Sequence, residues 1–390
     1  MAVMQNIHNS LVVGCGPVGM LTAIALSELG LETIIVGHKP KQDDQRTTAV
    51  MLAAVKFLKK LHLWEDLKEN AASLSTMRLV DGTGRLLRSP TVTFKSTEIG
   101  KAAFGYNIEN KFLNEVLLKK IAKIKHIEAN VTKVTYGDNI TCHLDNNEEI
   151  KTDLLFAADG KNSTLRKSLN IKTNIKNYDQ VSLVLKFLHE FEHQNISTEI
   201  HTPFGPFTQV PLPGKNSSLI WTVNKSEAER IKNLPIEKLN ILIEQKLNHS
   251  LGKINIQGSV QSWQLSSSIA KTFAKNSVIL LGETAHSFPP IGAQGLNLSI
   301  RDIEDICKIL LSNTKDICQT YNELRIPDVK TRALAVNSLN QSLISNSFGW
   351  QILRSAGFTS LKNFAPLRKF FIKEGMSPSE FILKFTRLFL

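Results

Sequence analysis

The sequence is poor in cysteine, and what it has is not paired by spacing. Cys15, Cys142, Cys307 and Cys318 form no Cys-x-x-Cys, and no histidines stand at metal-ligand spacing. A disulfide scaffold is therefore not expected, nor is a bound metal; reduced thiols in a cytoplasmic protein are the plain reading. No uninterrupted apolar run is long enough to span a bilayer. Residues Met1 to Asn9 lack the apolar stretch and cleavage site of a secretory leader, so none is expected. Internal repeats and low-complexity segments are missing. No Ser-His-Asp or Cys-His constellation stands at a recognisable motif. Acidic residues run short, with 35 Asp and Glu against 47 Lys and Arg, a net charge of +12. That surplus favours phosphates, acidic substrates or anionic lipid without choosing among them. Nucleic acid is not expected, because no basic stripe with interleaved aromatics and no reading module is present.

What remains is ordinary in bulk and specific in detail. The 390 residues are 42% apolar and 21% charged, enough to bury a large core in one or two domains. Ser10–Val13 reads as a short strand, Val18–Leu29 as a helix and Glu32–Val36 as a second strand, a β-α-β opening. Thr47–Leu61 reads as one helix with Val50, Ala53, Ala54, Phe57, Leu58 and Leu61 on a single face. Asn110–Lys123 is a further amphipathic helix. Strands are expected near Ile127–Val134 and Ile140–Leu144, and a buried strand at Asp153–Ala158. From about Tyr178 the texture changes to strands at Val181–Leu188, Phe207–Val210, Leu219–Val223 and Ser259–Leu265. Pro-Gly turns separate the earlier ones, and a helix at Pro235–Leu247 interrupts. This reads as a mostly antiparallel sheet inserted into the first domain. The strand at Val278 returns to that domain, and Asp316–Leu343 is a long helix.

Three motifs carry the chemistry. Gly14-Cys15-Gly16-Pro17-Val18-Gly19 matches Gly-x-Gly-x-x-Gly between a strand and a helix. Its glycines suit a tight turn, a close pyrophosphate and close helix packing. The acid expected at the end of the second strand is replaced by Gly37, His38 and Lys39. Asp159-Gly160-x-x-Ser163-x-x-Arg166 closes the buried strand; a carboxylate there can accept from cofactor hydroxyls, while an ordinary strand-to-helix turn with Ser163 as N-cap fits equally well. Gly282-Glu283-Thr284-Ala285-His286-Ser287-Phe288-Pro289-Pro290-Ile291-Gly292-Ala293-Gln294-Gly295-Leu296-Asn297 follows an apolar strand and opens a helix. Glu283 can bind polyol hydroxyls, Pro289 fixes the turn, and Gly292 to Asn297 aim backbone amides at a bound anion. Arg46 before a helix can pair with a phosphate or substrate, or simply be solvated. His286 reads as a packing or hydrogen-bonding residue before a base. Two anion cradles far apart in sequence suit one long cofactor with a pyrophosphate at its middle.

Taken in order, the three motifs resemble those of the flavoprotein aromatic hydroxylases, the class A FAD monooxygenases. Arg46-Thr47-Thr48-Ala49, His286 to Asn297 and Leu298-Ser299-Ile300-Arg301-Asp302-Ile303 make the chain most similar to their ubiquinone-biosynthesis members. The resemblance covers nearly the whole chain. It implies an α/β fold: a Rossmann-like FAD-binding domain of the para-hydroxybenzoate-hydroxylase kind, with an inserted, mostly antiparallel substrate sheet and C-terminal helices. The FAD-binding domain would take 1–75, 101–175 and 273–345. The substrate domain would take 76–100 as an excursion and 176–272 as its body, and 346–390 would form a C-terminal helical segment.

In that family Gly14, Gly16 and Gly19 would hold the ADP part of FAD. Arg46, Asp159, Gly160, Gly282, Glu283, Pro289, Gly292, Gln294, Gly295, Leu296 and Asn297 would complete the cofactor site. Backbone at Gly292, Ala293, Gln294 and Gly295 would face the flavin edge, and no side chain is assigned as catalytic. Gly-Glu stands where the family has Gly-Asp. The implied reaction is hydroxylation of a polyprenylated phenol through a C4a-hydroperoxyflavin, using O2 and electrons from NAD(P)H or another donor. Two alternatives stay open: a related FAD monooxygenase or reductase on another apolar substrate, and a non-catalytic flavin-binding scaffold. The resemblance also allows membership of a ubiquinone-biosynthesis protein complex. Leu367–Lys373 and Phe381–Leu390 mix basic and large apolar residues. They could lie on the inner face of the cytoplasmic membrane or pack on their own domain.

Overall fold

The computed structural model describes residues 9–41, 44–85, 88–137, 139–290, 293–312, 314–344 and 348–376. Its first layer is a six-stranded sheet in the order Ala274–Lys275, Val278–Leu280, Leu154–Ala157, Asn9–Val13, Glu32–Val36, Lys125–Ile127. All its pairs are parallel except the short edge strand Ala274–Lys275. Its inner strands are continuous apolar runs, as a sheet covered on both faces requires. The register sets Val13 beside both Val36 and Ala157, and Ala157 beside Leu280. The turns that follow these four residues therefore open at one sheet edge, the carboxyl ends where α/β sheets bind ligands.

The helices Pro17–Glu28 and Gln294–Leu311 pack on this sheet with Leu11, Ile35, Phe156, Ile279 and Ile303 in one large core. Both start at that same edge. A three-stranded antiparallel sheet, Val131–Tyr136, Ile140–Leu144 and Glu149–Thr152, flanks it.

The second layer is an eight-stranded sheet in the order His286–Ser287, Ile254–Ala270, Thr173–His189, Asn216–Val223, Gly205–Leu212, Ile196–Thr202, Thr76–Asp81, Val92–Lys95. One of its pairs, Ile196–Thr202 with Thr76–Asp81, is parallel. Alternation along the strands gives it two different faces. Leu183, Leu185, Phe187, Leu219 and Trp221 pack under the helices Lys225–Lys232 and Ile236–Lys246 as a second core. The opposite face carries Val184, Val210 and Ile220, which line cavities rather than that core.

Two sequence expectations are corrected. Thr47–Leu61 is not one helix: Thr47–Met51 is a strand paired antiparallel with Gly105–Glu109, and only Leu52–Lys60 is helical. The β-branched run Thr47, Thr48 and Val50 finds a partner distant in sequence, which overrides the helical spacing. Val55 takes the buried place expected of Ala53. Arg46 consequently precedes a strand. The strand expected at Ile127–Val134 is two strands, Lys125–Ile127 in the parallel sheet and Val131–Tyr136 in the flanking one. Leu367–Lys373 falls within the helix Ala365–Met376, whereas Phe381–Leu390 lies outside the described residues.

Candidate functional site

The opening glycine turn is built by crowding on one side and space on the other. A Cβ at Gly14 would lie 2.1 Å from the Ala158 carbonyl oxygen, and one at Gly19 would lie 1.7 Å from the Gly14 oxygen. Neither position can hold a side chain without moving backbone. At Gly16 a Cβ would meet nothing within 4 Å, because it projects into open space at the start of the helix Pro17–Glu28. No side chain caps that helix start, so its first amides remain available to an anion.

The cavity here, about 500 Å³, is lined by Gly14, Gly16, Gly37, Asp159 and Gly160 among others. An acid cannot replace Gly37 cheaply: its Cβ would sit 2.7 Å from the Cys15 amide nitrogen. A carboxylate stands one strand over instead. Glu128 follows Ile127, the partner of Val36, and its Oε1 accepts from the Lys39 amide at 3.5 Å. Cys15, beside the turn, is a buried thiol whose pKa is raised to about 11 by burial and by Glu128, so it stays protonated and unreactive.

The second and third motifs are stitched to each other. Asp159 Oδ1 accepts from Thr284 Oγ1 at 3.1 Å and its Oδ2 accepts from the Leu165 amide at 3.2 Å. The Gly160 amide donates to the same Thr284 hydroxyl at 3.0 Å. Arg166 is buried and donates to the Thr284 carbonyl and to the Lys161 carbonyl, each at 2.7 Å. Ser163 caps the Arg166 amide at 2.9 Å. Asp159 and Arg166 thus fix the turns in place, and Asp159 and Gly160 also line the glycine-turn cavity.

Beneath the third motif lies a buried ionic cluster. Asp302 Oδ2 accepts from the Gly282 amide at 3.1 Å and pairs with His286 Nε2 at 2.7 Å. Its Oδ1 accepts from Arg325 Nε at 2.9 Å. Arg325 also reaches Asp305 at 3.3 Å and Asp328 at 2.6 Å, and Asp328 meets Arg301 and Arg332. Burial alone would raise the Asp302 pKa, yet His286 and Arg325 hold it below the ordinary carboxylate value. Burial opposes the Arg325 charge too, and Asp302, Asp328 and Asp305 together raise its pKa above normal. His286 is therefore a core residue, its ring 5.8 Å from both Phe273 and Phe288.

Gln294 and Asn297 spend their side chains on structure. Gln294 Oε1 accepts from Arg332 at 2.9 Å. Asn297 Oδ1 accepts from the Met51 amide at 2.8 Å, and its Nδ2 donates to the carbonyls of Ala49 and Ala293 at 2.7 Å each. The helix Gln294–Leu311 therefore offers its backbone, with Ala293 in the left-handed region as N-cap. Ile291 and Gly292 lie outside the described residues.

Arg46 is gripped by Asp44 through Nε at 2.9 Å and Nη2 at 2.8 Å, and its guanidinium lies 4.8 Å from the Trp263 ring centre. The Asp44 hydrogen bond raises its pKa. Two further cavities meet around Arg46, Glu283, Phe288 and Pro290. One, about 310 Å³, runs toward Met77, Leu79, Glu199 and Val210; the other, about 410 Å³, runs toward Lys161, Val184 and Trp263. Lys161 Nζ bonds Ser266 Oγ there.

The residues present fit FAD. The open face at Gly16 and the uncapped helix start suit a pyrophosphate, and Thr284 ties the Asp159-Gly160 turn to the Gly282-Glu283 turn. Sequence reasoning missed Thr284, Asp44, Glu199 and the Asp302–Arg325 cluster. For Glu199 a signal existed, with β-branched residues at 196, 198, 200 and 202 before a Pro-Gly turn. For Thr284 none did.

A family model described as FAD binding domain matches residues 8–331. Ubiquinone hydroxylase UbiL of Rhodospirillum rubrum is 27% identical over 95% of this chain and 90% of its own length. The 3-demethoxyubiquinol 3-hydroxylase of Escherichia coli is 25% identical over 92% of this chain and 91% of its own. Among solved structures, p-nitrophenol 4-monooxygenase PnpA from Pseudomonas putida superposes with a TM-score of 0.77 at 15% identity, covering 95% of this chain and 98% of that one. PqsL, a probable FAD-dependent monooxygenase from Pseudomonas aeruginosa, superposes with a TM-score of 0.76 at 18% identity, covering 91% and 100%.

Proposed function

The chain belongs to the FAD binding domain family, and from that premise we propose that it is an FAD-dependent monooxygenase. Its reaction is hydroxylation of the aromatic ring of a polyprenylated phenol on the route to ubiquinone. One observation carries this reading. The glycine turn and the Asp159-Gly160 turn line one cavity of about 500 Å³, and the third turn, tied to them through Thr284, lines a second of about 310 Å³ whose far wall is the eight-stranded sheet. The ubiquinone hydroxylases similar to the chain support the substrate class.

Gly14, Gly16 and Gly19 hold the ADP portion of the cofactor, with Asp159 and Gly160 beside it. Glu283 binds ribityl or ribose hydroxyls, Arg46 neutralises negative charge, and Pro289 shapes the loop toward the amides of Ala293, Gln294, Gly295, Leu296 and Asn297. Gly292 belongs to the same set by sequence. Bound FAD, reduced by NAD(P)H or another donor, supplies activation of O2. The protein's part is to orient the ring and exclude water, and Phe104, Val210, Ile220 and Phe288 give the cavity the apolar lining both tasks need.

Purified protein should be yellow and should consume NAD(P)H and O2 faster with a prenylated phenol. Colour without turnover under every donor would favour the scaffold alternative. Cells lacking the protein should accumulate one quinone precursor, which names the step.

No helix among the described residues is long and apolar enough to cross a membrane. A surface role on anionic lipid is supported by the exposed Leu353, Phe364, Phe370 and Phe371 near Lys362, Lys369 and Lys373. Co-sedimentation with phosphatidylglycerol vesicles, and none with phosphatidylcholine vesicles, is the expected result.

A further inference from the structure

Glu199 is a carboxylate set into an apolar wall. It lies on the strand Ile196–Thr202, opposite Thr208 on one neighbour and Leu79 on the other, and all three line the cavity of about 310 Å³. Around it the lining is Met77, Leu79, Val210 and Ile220. A charge in such a place is costly unless it has partners. Oε1 lies 2.9 Å from His201 Nε2, and Oε2 accepts from Thr208 Oγ1 at 3.4 Å. His201, two residues on and so on the same strand face, is buried with its ring edge-on to Phe358 at 5.7 Å. The other charged residues lining the cavity are Arg46, already gripped by Asp44, together with Arg78 and Glu283. An ionised carboxylate has about four lone-pair sites, so two contacts leave capacity toward the cavity.

We propose that Glu199, oriented by His201, accepts the hydrogen bond of the substrate's ring hydroxyl and so selects free phenols over their ethers. The inference rests on the function proposed above and names the group that reads the substrate. An O–H entering an apolar cavity needs an acceptor, and a charged acceptor gives the stronger bond. An ether would leave Glu199 desolvated with nothing in return, the situation in which binding sites discriminate most sharply. His201 acts through Glu199 by holding its orientation and is a positioning residue.

The test uses the flavin-loaded full chain and two probes, a short-chain prenylated phenol and its O-methyl ether, with binding followed by calorimetry. The wild type should prefer the phenol by roughly 10- to 100-fold, the worth of one hydrogen bond to a charged group. Glu199→Gln should cut that preference several-fold and Glu199→Leu should abolish it, by weakening phenol binding and relieving the penalty on the ether, while flavin content stays as it was. His201→Phe should lower it partway. An undiminished preference in both Glu199 variants would overturn the assignment and leave the monooxygenase reading standing. Failure of the wild type to bind either probe would overturn both.

Discussion

At the scale of single residues, the glycine turn separates folding from binding. Gly14 and Gly19 face backbone within 2.1 Å, whereas Gly16 faces open space. Gly16→Val should therefore fold normally but lose at least about tenfold in FAD affinity, because the branched side chain fills the phosphate space. Flavin content and thermal midpoint, measured on the same sample, check both halves. Gly19→Val should instead fail to accumulate as folded protein. The positions of these glycines were legible from spacing alone. The crowding that distinguishes them was not: at Gly14 it comes from Ala158, far along the chain, and at Gly19 from the Gly14 carbonyl, which only the folded turn brings close. The same holds for Gly37, where the missing acid had looked like a simple departure. The Cys15 amide leaves no room for it, and Glu128 stands nearby.

At the scale of elements, the start of the helix Gln294–Leu311 depends on charge placed behind it. Asp302 holds the Gly282 amide, and Arg325 from the helix Ile317–Ile344 neutralises Asp302. Replacing one member of a buried pair leaves the other uncompensated and costs about 3–5 kcal/mol. Arg325→Leu should lower stability by that order and loosen FAD as well, whereas Arg325→Lys should recover part of both; denaturation and flavin titration together read this. The helix itself was visible in the sequence from its apolar spacing and the Gly-x-Gln-Gly before it. Its ionic support was not, because Asp302 and Arg325 are ordinary charged residues on separate helices until packing brings them together. The strand Thr47–Met51 was hidden for a related reason. Its partner Gly105–Glu109 is supplied from a distant stretch, and local spacing alone favoured a helix.

At the scale of the whole molecule, the cluster gives an acid limit to stability. Burial would push the Asp328 carboxyl up, but Arg325, Arg332 and Arg301 bring it down to about 2 from its ordinary 3.8. A depressed carboxylate contributes stability above its unfolded value and loses it as pH falls through the folded one. That window runs from 3.8 down to about 2 and is worth about 2 kcal/mol. Asp302 shifts the same way and Asp305 the opposite way, so the contribution is best isolated by difference. Asp328→Asn should show a shallower fall in unfolding midpoint between about pH 4 and pH 2 than the wild type.

The order of the parallel sheet has a bearing on synthesis. Leu154–Ala157 lies between Asn9–Val13 and Val278–Leu280, so the glycine turn made first is walled by segments made much later. Contacts this remote along the chain form slowly and close late. A ribosome must deliver roughly two-fifths of the polypeptide before the glycine-turn cavity, lined as far as Thr164, has its walls, and roughly three-quarters before the turn from Gly282 to Asn297 can join them, so capture of a whole flavin nucleotide would come late in the protein's biogenesis.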